Sequence, residues 1–289
     1  MRSLLFVPGD SPRKLEKGLM SGADILLIDL EDSVALPAKE EARRVTSEFL
    51  RQQQAKTERP RLFVRVNGLT TGLIDADLDG VMGAGPDGIV LPKTVGGADV
   101  AHLGAKLAVR EAEFGLEDGA TRILAIATEN AAGVFALGTF AGASHRLMGL
   151  TWGGEDLSAD LGAEANRDES GAYTEPYRLA RSLTLFGAAA AGVDAVDSVF
   201  TNFRDMAGLE AECRAARRDG FVAKMAIHPA QVPVINEAFT PSPEAIERAQ
   251  AVIEAFRDNP GAGVVGVNGE MLDRPHLLRA ERLLRRAGL

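Results

Sequence analysis

The sequence predicts an α/β protein with the architecture of a (β/α)8 barrel, a TIM barrel, followed by a C-terminal helical appendage. Short runs rich in Val, Ile and Leu recur between residues 4 and 228, and most are followed by a segment with helical periodicity. The runs are continuous and do not alternate, which is typical of strands buried on both faces in a parallel sheet. An open doubly wound sheet is the alternative. The segment "VPGDSPRK" after the first strand disfavours it, because it lacks the GxGxxG pattern of a dinucleotide loop.

The elements follow one another in the order that a barrel requires. The predicted strands are 4–7, 25–30, 61–66, 88–92, 122–128, 147–152, 195–200 and 223–228, and clear helical segments are 11–22, 37–54, 98–115 and 173–192. Glycines follow several of these helices, as expected of C-caps. We expect a catalytic barrel over 1–232 and a C-terminal extension over 233–289 that packs on the barrel or on a neighbouring subunit. In the extension, Ser242 and Pro243 begin one helix, and a basic helix over 275–289 ends the chain.

The composition excludes several classes of function. The net charge is −9, from 32 basic and 41 acidic residues, which argues against nucleic acid or an anionic membrane as the main partner. Cys213 is the single cysteine, so an intrachain disulfide and a cysteine-based zinc site are both excluded. No apolar run approaches the ~20 residues of a membrane span. The sequence therefore predicts a soluble, cytoplasmic protein.

Polar side chains collect at the ends of the predicted strands. The carboxyl ends of barrel strands meet at one mouth, where the active sites of such enzymes lie. Residues at these ends are Asp29, Glu31, Asp32, Arg65, Asn67, Lys93, Glu129, Asp156 and His228. Several acidic residues with few cations at one mouth of the barrel indicate an active site there.

Glu129 and Asp156 follow adjacent strands, so their carboxylates can share one coordination sphere. Oxygen ligands without cysteine or a histidine pair favour Mg²⁺, or Mn²⁺, over zinc. The alternative is that Glu129 caps the helix that begins near Asn130 and that Asp156 pairs with a distant cation. Gly153 and Gly154 precede Asp156 and are expected to let the backbone approach a bound ligand.

Arg65 is the candidate counter-ion of a substrate carboxylate, because its planar fork fits that group bidentately. Its alternative role is a structural ion pair with Glu31 or Asp32. These two acids, with Asp29, are expected to accept hydrogen bonds from metal-bound waters, although Asp29 is equally suited to capping a neighbouring loop. Lys93 and His228 are equally explained as satisfied side chains at the barrel end.

The motifs together resemble the citrate lyase beta-subunit and malyl-CoA lyase family of Mg²⁺-dependent CoA-ester lyases. In chain order they are "RSLLFVPGD", "DILLIDLEDSVALPAKEEAR", "FVRVNG", "DGIVLPK", "ATENAAG", "GGEDLSADLG" and "MAIHPAQ", and the similarity continues into "NGEMLDRPH". One departure is Asn130, because the fifth-strand motif often has threonine after the glutamate; this leaves the metal ligand in place but can alter the packing of the loop.

The resemblance implies a lyase that cleaves or forms a carbon–carbon bond between an acyl thioester of coenzyme A and a 2-oxo acid. By motif, Glu129 and Asp156 match the two metal ligands and Arg65 matches the arginine that binds the oxo acid. Phe6 and Arg13 lie where the N-terminal motif meets substrate or CoA; the family often has lysine at the position of Arg13. Ile227 and His228 match a segment near the thioester. Asp273 matches an acid/base aspartate that a neighbouring subunit supplies, which implies a homo-oligomer, a trimer or hexamer.

Three other functions stay open at this point. One is the beta subunit of a citrate lyase complex, which acts on an acyl group of a carrier protein. Another is a malyl-CoA thioesterase, which releases free CoA without glyoxylate. The third is a non-catalytic binding protein built on the same barrel, which the retained Glu129, Asp156 and Arg65 disfavour.

Overall fold

The computed structural model describes residues 1–289 and confirms the predicted fold class. Eight parallel strands close into a barrel in the order of the sequence. They are β1 (Ser3–Pro8), β2 (Ile25–Asp29), β3 (Arg61–Arg65), β4 (Gly88–Leu91), β5 (Arg122–Ile126), β6 (Leu147–Thr151), β7 (Asp194–Asp197) and β8 (Ala223–Ala226). Strand β8 closes the barrel by pairing with β1, with Met225 opposite Leu4.

The barrel interior is filled by apolar side chains from alternating positions of the strands. This core comprises Leu4, Ile25, Leu27, Phe63, Val90, Leu124, Ile126, Val196, Ala223 and Met225. The intervening residues of the strands, such as Leu26 and Ile28, are buried on the outer face of the barrel. Both faces of the strands are therefore buried, which is why the sequence shows continuous apolar runs.

Along the chain, helices alternate with the strands of the barrel. They are α1 (Pro12–Leu19), α2 (Lys39–Gln53), α3 (Ile74–Val81), α4 (Gly97–Phe114), α5 (Ala131–Phe135), α6 (Gly154–Leu161), α7 (Glu175–Ala191), α8 (Met206–Asp219) and α9 (Gln231–Phe239). Gly115, Gly162 and Gly192 end α4, α6 and α7 with positive φ, the left-handed conformation that glycine adopts at C-caps. Short 3-10 turns lie at Leu36–Ala38, Leu69–Thr71, Met82–Ala84 and Leu137–Phe140.

Three predicted strands extend two or more residues beyond the observed ones. The predicted segment 122–128 ends as β5 at Ile126, 195–200 is replaced by β7, which ends at Asp197, and 223–228 ends as β8 at Ala226. In each case the chain leaves the strand early and continues as a loop, and after β5 that loop carries Glu129.

The chain divides into two compact units, Met1–Asn236 and Glu237–Leu289. The second unit consists of α10 (Pro243–Asp258), the antiparallel hairpin of β9 (Val264–Val267) and β10 (Glu270–Asp273), and α11 (Arg274–Ala287). Its own core comprises Ala249, Val252, Phe256, Val265, Leu272 and Ala280. None of the helices of the protein combines the length and the apolar character that a membrane crossing requires.

Candidate active site

Arg65 and Asp29 form a buried ion pair at the ends of β3 and β2. The register of the two strands places them opposite each other. Arg65 donates from Nε to Asp29 Oδ1 at 2.8 Å and from Nη2 to Oδ2 at 2.7 Å. The same carboxylate accepts the backbone N–H groups of Glu31 and Ser33 at 2.8 and 3.0 Å. Asp29 therefore orients Arg65, and the bidentate edge formed by Nε and Nη2 is already used by a carboxylate of this chain.

The remaining nitrogen of the guanidinium faces the neighbouring acids. Arg65 Nη1 lies 2.9 Å from Glu31 Oε2 and 3.7 Å from Asp32 Oδ2, so the ion pairs considered as an alternative from sequence are present. Burial opposes ionisation of Asp29, but the hydrogen bonds and charge of Arg65 outweigh it and lower the pKa of that carboxyl. Burial raises the pKa of Glu31 in spite of its two cationic neighbours, Arg65 and Lys93.

Lys93 contacts acidic side chains that follow three different strands, β2, β5 and β6. It follows β4 with a φ of 55°, which is unusual for a residue other than glycine. Its backbone N–H donates to Glu129 Oε2 at 2.5 Å, and its Nζ lies 2.5 Å from Glu31 Oε1. The same Nζ is 3.3 Å from Asp32 Oδ1 and 3.5 Å from Asp156 Oδ1. One residue thus contacts both predicted metal ligands.

Glu129 is almost fully buried, with 5 % of its surface exposed. Burial raises its pKa to about 8, and the negative charges of Asp156 and Glu31 add to this increase. Gly153 makes room for it, because a Cβ there would lie 2.6 Å from Glu129 Cγ. The glycine that was expected to admit a bound ligand thus accommodates the side chain of Glu129.

The alternative considered from the sequence, that Glu129 caps the next helix, is wrong. Asn130 is the N-cap of α5, and its side chain accepts the N–H of Gly133 at 2.7 Å. The residue that departs from the family motif therefore takes the capping role and leaves Glu129 free of it. Asp156 lies in the first turn of α6 and is 35 % exposed. Its neighbour Glu155 accepts a hydrogen bond from Asn166 at 2.8 Å and so supports the following loop.

The donor set around Lys93 fits a hard divalent cation. Glu129 Oε1 accepts no hydrogen bond, and the carboxylate is destabilised in its charged form by burial and by neighbouring acids. A cation would relieve both effects. No group of three or more histidine, cysteine or acidic side chains in the chain is arranged to hold a metal ion. Two carboxylates are nevertheless enough for Mg²⁺, which usually completes its shell with water and substrate oxygens.

Phe6 and Arg13 occupy different environments near the start of the chain. The Phe6 ring lies beneath the Arg65 guanidinium, with 4.8 Å from Arg65 Cζ to the ring centroid, so it supports this arginine from one face. Arg13 lies in the first turn of α1, where it is exposed and forms no ion pair. The structure thus places Phe6 against Arg65, which pairs with the acids after β2, and leaves Arg13 on the surface.

The segment after β8 is held by a residue that the sequence analysis did not identify. Gln231 is fully buried; its Oε1 accepts the N–H groups of Ile227 and His228 at 2.9 and 3.2 Å, and its Nε2 donates to the Phe200 carbonyl at 2.8 Å. Ile227 is 40 % exposed, and the His228 ring stacks on Phe203 with centroids 5.0 Å apart. The only sequence signal for Gln231 is its position directly after "IHPA".

A buried ionic network behind β7 and β8 was also missed. Lys224 Nζ contacts Asp197 at 3.0 Å and Glu212 at 2.7 Å, and Trp152 Nε1 donates to Asp197 at 2.8 Å. Trp152 immediately precedes Gly153, so this network anchors the connection between β6 and α6, the helix that carries Asp156. The signal for this network in the sequence is Lys224, a charged residue within the largely apolar run 223–228.

Asp273 lies in the second unit, at the end of β10. It is the N-cap residue of α11, it is exposed, and its Oδ1 is 2.5 Å from His276 Nδ1. Hydrogen bonding to His276 lowers the pKa of Asp273. The carboxylate is accessible, as the acid/base role that the resemblance implies would require.

Comparison with known proteins identifies the family. Residues 2–229 match the HpcH/HpaI aldolase/citrate lyase family. The chain belongs to this family. It is 36 % identical to the citrate lyase subunit beta of Leuconostoc mesenteroides subsp. cremoris over 99 % of this chain and 93 % of that protein. It is also 35 % identical to a (3S)-malyl-CoA thioesterase of Cereibacter sphaeroides, over 99 % of this chain and 94 % of that protein.

Solved structures of one relative show what a member of the family binds. CitE of Mycobacterium tuberculosis, in complex with magnesium, acetoacetate and coenzyme A, superposes with a TM-score of 0.77 at 34 % identity, covering 100 % of this chain and 98 % of that one. A second structure of the M. tuberculosis protein holds oxaloacetate and magnesium, with a TM-score of 0.69 at 34 % identity over 83 % of this chain and 97 % of that one. Relatives of this chain thus bind Mg²⁺, coenzyme A and a 2-oxo acid, and the family resemblance is confirmed.

Proposed function

We propose that this protein is a Mg²⁺-dependent carbon–carbon lyase that acts on a 3-hydroxyacyl-CoA such as malyl-CoA or citramalyl-CoA. The products of cleavage are acetyl-CoA and a 2-oxo acid. The observation that carries the proposal is the convergence of Glu129 and Asp156 on Lys93, beside the arginine that Asp29 orients. This group combines a place for a hard cation with a fixed positive charge for a substrate carboxylate.

In this proposal Glu129 and Asp156 hold the metal, which when bound supplies Lewis-acid polarisation of the substrate hydroxyl and carboxylate. Asp29 already uses the Nε and Nη2 edge of Arg65, so the carboxylate of the oxo acid would bind at Nη1, in place of the contact of Nη1 with Glu31 Oε2 at 2.9 Å. Phe6 and Asp29 keep that guanidinium in place and so reduce the entropic cost of orienting the substrate.

The bond changes balance without a further reactant. The substrate hydroxyl would give its proton to the carboxylate of Asp273 of a neighbouring subunit, the bond between the hydroxyl-bearing carbon and the thioester α-carbon would break, and the electron pair would pass to the thioester as an enolate. The protonated Asp273 would then deliver that proton to the α-carbon. In the condensation direction, the same carboxylate removes that proton. The protein would accordingly work as a homo-oligomer, and Arg13, Ile227 and His228 would contact the CoA portion.

Two kinds of relative support other reactions of a related thioester. The similarity to citrate lyase beta subunits supports a carrier-protein thioester as substrate, and the similarity to the C. sphaeroides thioesterase supports hydrolysis to free CoA. A thioesterase differs in its products, because it releases free CoA without an oxo acid, and a citrate lyase beta subunit differs in its substrate, so the carrier-protein thioester has to be assayed beside the CoA thioesters.

The test is a screen of CoA thioesters with Mg²⁺ that follows glyoxylate, pyruvate or oxaloacetate together with free thiol. Release of an oxo acid with acetyl-CoA supports the lyase, and free CoA without an oxo acid supports a thioesterase. Asp156→Ala should abolish Mg²⁺-dependent turnover, whereas Asp273→Ala should abolish turnover and leave oxo-acid binding intact. Full activity of Asp156→Ala would refute the metal assignment, and full activity of Asp273→Ala would remove Asp273 from the reaction.

A further inference from the structure

Lys93 has a backbone conformation that its local sequence does not explain. Lys93 and Asn268 are the two residues other than glycine with a positive φ, at 55° and 51°. Asn268 lies with Gly269 in the turn between β9 and β10, where asparagine and glycine are the usual residues. Lysine has no such preference, so its left-handed conformation in the loop after β4 is strained.

The strained conformation lets one residue make two kinds of contact. The backbone N–H reaches Glu129 Oε2, while the ammonium reaches Glu31 at 2.5 Å and Asp156 at 3.5 Å. Glycine would allow the same backbone hydrogen bond without strain, but it would provide no charge. A lysine at a position that suits glycine therefore indicates that the ammonium has a use, since strain of this kind collects at functional sites.

The arrangement of charges at the barrel mouth indicates what the Lys93 ammonium does. The contacts of Arg65 are with Asp29, Glu31 and Asp32 and not with Asp156, so Lys93 is the cation that faces Asp156. Its contact with Glu31 is 1.0 Å shorter than its contact with Asp156, from the distances of 2.5 and 3.5 Å. The ammonium is thus anchored on Glu31 and only loosely attached to Asp156.

We propose that Lys93 is a positioning residue whose ammonium acts as an internal counter-ion of Asp156 and yields this carboxylate when a divalent cation binds. The inference rests on the proposed function, because it takes Asp156 as a metal ligand. Lys93 then tunes the affinity of the site: it keeps the acids in place without metal, and its charge opposes the incoming cation.

Removing the ammonium should therefore tighten metal binding. Lys93 is 38 % exposed, so solvent screens its charge. For Lys93→Met we expect Mg²⁺ to bind roughly three- to tenfold more tightly, the range for a screened charge a few ångströms away. Lys93→Arg keeps the charge and should return the affinity towards the wild-type value. A merely structural lysine would give the opposite result, weaker binding in Lys93→Met.

The experiment is calorimetric titration of the full-length protein with MgCl₂ alone, for the wild type and both variants, with circular dichroism to establish folding. Lys106→Met is the matched control, because Lys106 also pairs with an acid, Asp75 at 2.7 Å, but on the outer helix α4. This control should leave the Mg²⁺ affinity unchanged. A folded Lys93→Met that binds Mg²⁺ as tightly as the wild type, or more weakly, would overturn the inference while the proposed function stands. Absence of Mg²⁺ binding in all of these proteins would overturn both.

A second measurement tests the strain separately from the charge. Lys93→Gly and Lys93→Met both lack the ammonium and should bind Mg²⁺ alike, but the glycine variant should unfold at a higher temperature in EDTA. Asn268→Gly is the control for relief of a positive φ and should change the midpoint less, because asparagine tolerates this conformation. Equal midpoints for the two Lys93 variants would contradict the argument from strain.

Discussion

Substitution of Glu129 by glutamine should stabilise the metal-free protein, and increasingly so as the pH rises. Burial raises the pKa of Glu129 to about 8, against an ordinary value of 4.5. Below about pH 4.5 this carboxyl is protonated in both the folded and the unfolded chain. Between that pH and 8 only the unfolded chain ionises, so the folded state loses about 1.4 kcal/mol per pH unit. Glutamine mimics the protonated form at every pH and removes this loss.

The size of the effect follows from the two pKa values. The difference of 3.5 units, 8 minus 4.5, corresponds to about 5 kcal/mol above pH 8. Between pH 5.5 and 7.5, the advantage of Glu129→Gln over the wild type in the free energy of unfolding should grow by about 2.5 kcal/mol. The hydrogen bond from the Lys93 N–H survives in the variant, because the glutamine Oε1 also accepts.

Urea unfolding in EDTA at several pH values measures this directly. Glu113→Gln is the matched control, because it is the same substitution at an exposed glutamate of α4. Adding Mg²⁺ should stabilise the wild type but not Glu129→Gln. A constant difference between Glu129→Gln and the wild type from pH 5.5 to 7.5 would refute the reasoning, since it would mean that Glu129 is ionised in the folded protein.

Further predictions concern the packing around the site and one remote thiol. Gly153→Ala should cost about 1–3 kcal/mol of stability and weaken Mg²⁺ binding in calorimetry, because the new Cβ would lie 2.6 Å from Glu129 Cγ; unchanged affinity would show that the loop adapts. Asp29→Ala leaves Arg65 without its bidentate partner and should lower the free energy of unfolding in urea by about 3–5 kcal/mol; a loss below about 1 kcal/mol would contradict a buried ion pair. Burial raises the pKa of the Cys213 thiol to about 12, so mass spectrometry should find it unlabelled by iodoacetamide at pH 8 in the folded protein and labelled in urea. Labelling under native conditions would show that α8 opens.

Family membership and the geometry of the site describe different properties of this protein. Family membership establishes the barrel and the kinds of ligand that relatives bind. The particular reaction depends on details of this chain, such as the way Asp29 uses one edge of Arg65. That contact leaves Nη1, which lies 2.9 Å from Glu31 Oε2, as the one nitrogen of the guanidinium that Asp29 does not use.

Several features of the site were accessible from sequence because they depend on strand order alone. Glu129 and Asp156 follow β5 and β6, which are hydrogen-bonded neighbours, so strand order alone predicts that their carboxylates lie close together. Asn130 was flagged as a departure from the family motif, but its role as N-cap of α5 appears only when its side chain is placed against Gly133.

The sequence by itself determined the barrel, its eight strands and the edge at which the polar residues gather. It did so because burial on both faces imposes continuous apolar runs, and because parallel strands bring their carboxyl ends together. Only the tertiary structure decided which charged groups contact one another. The register sets Asp29 opposite Arg65, the positive φ of Lys93 turns it towards both Glu129 and Asp156, and burial raises the pKa of Glu129. These outcomes depend on distances and solvent exposure of side chains that are far apart in the chain, which a pattern of residues along the sequence does not specify.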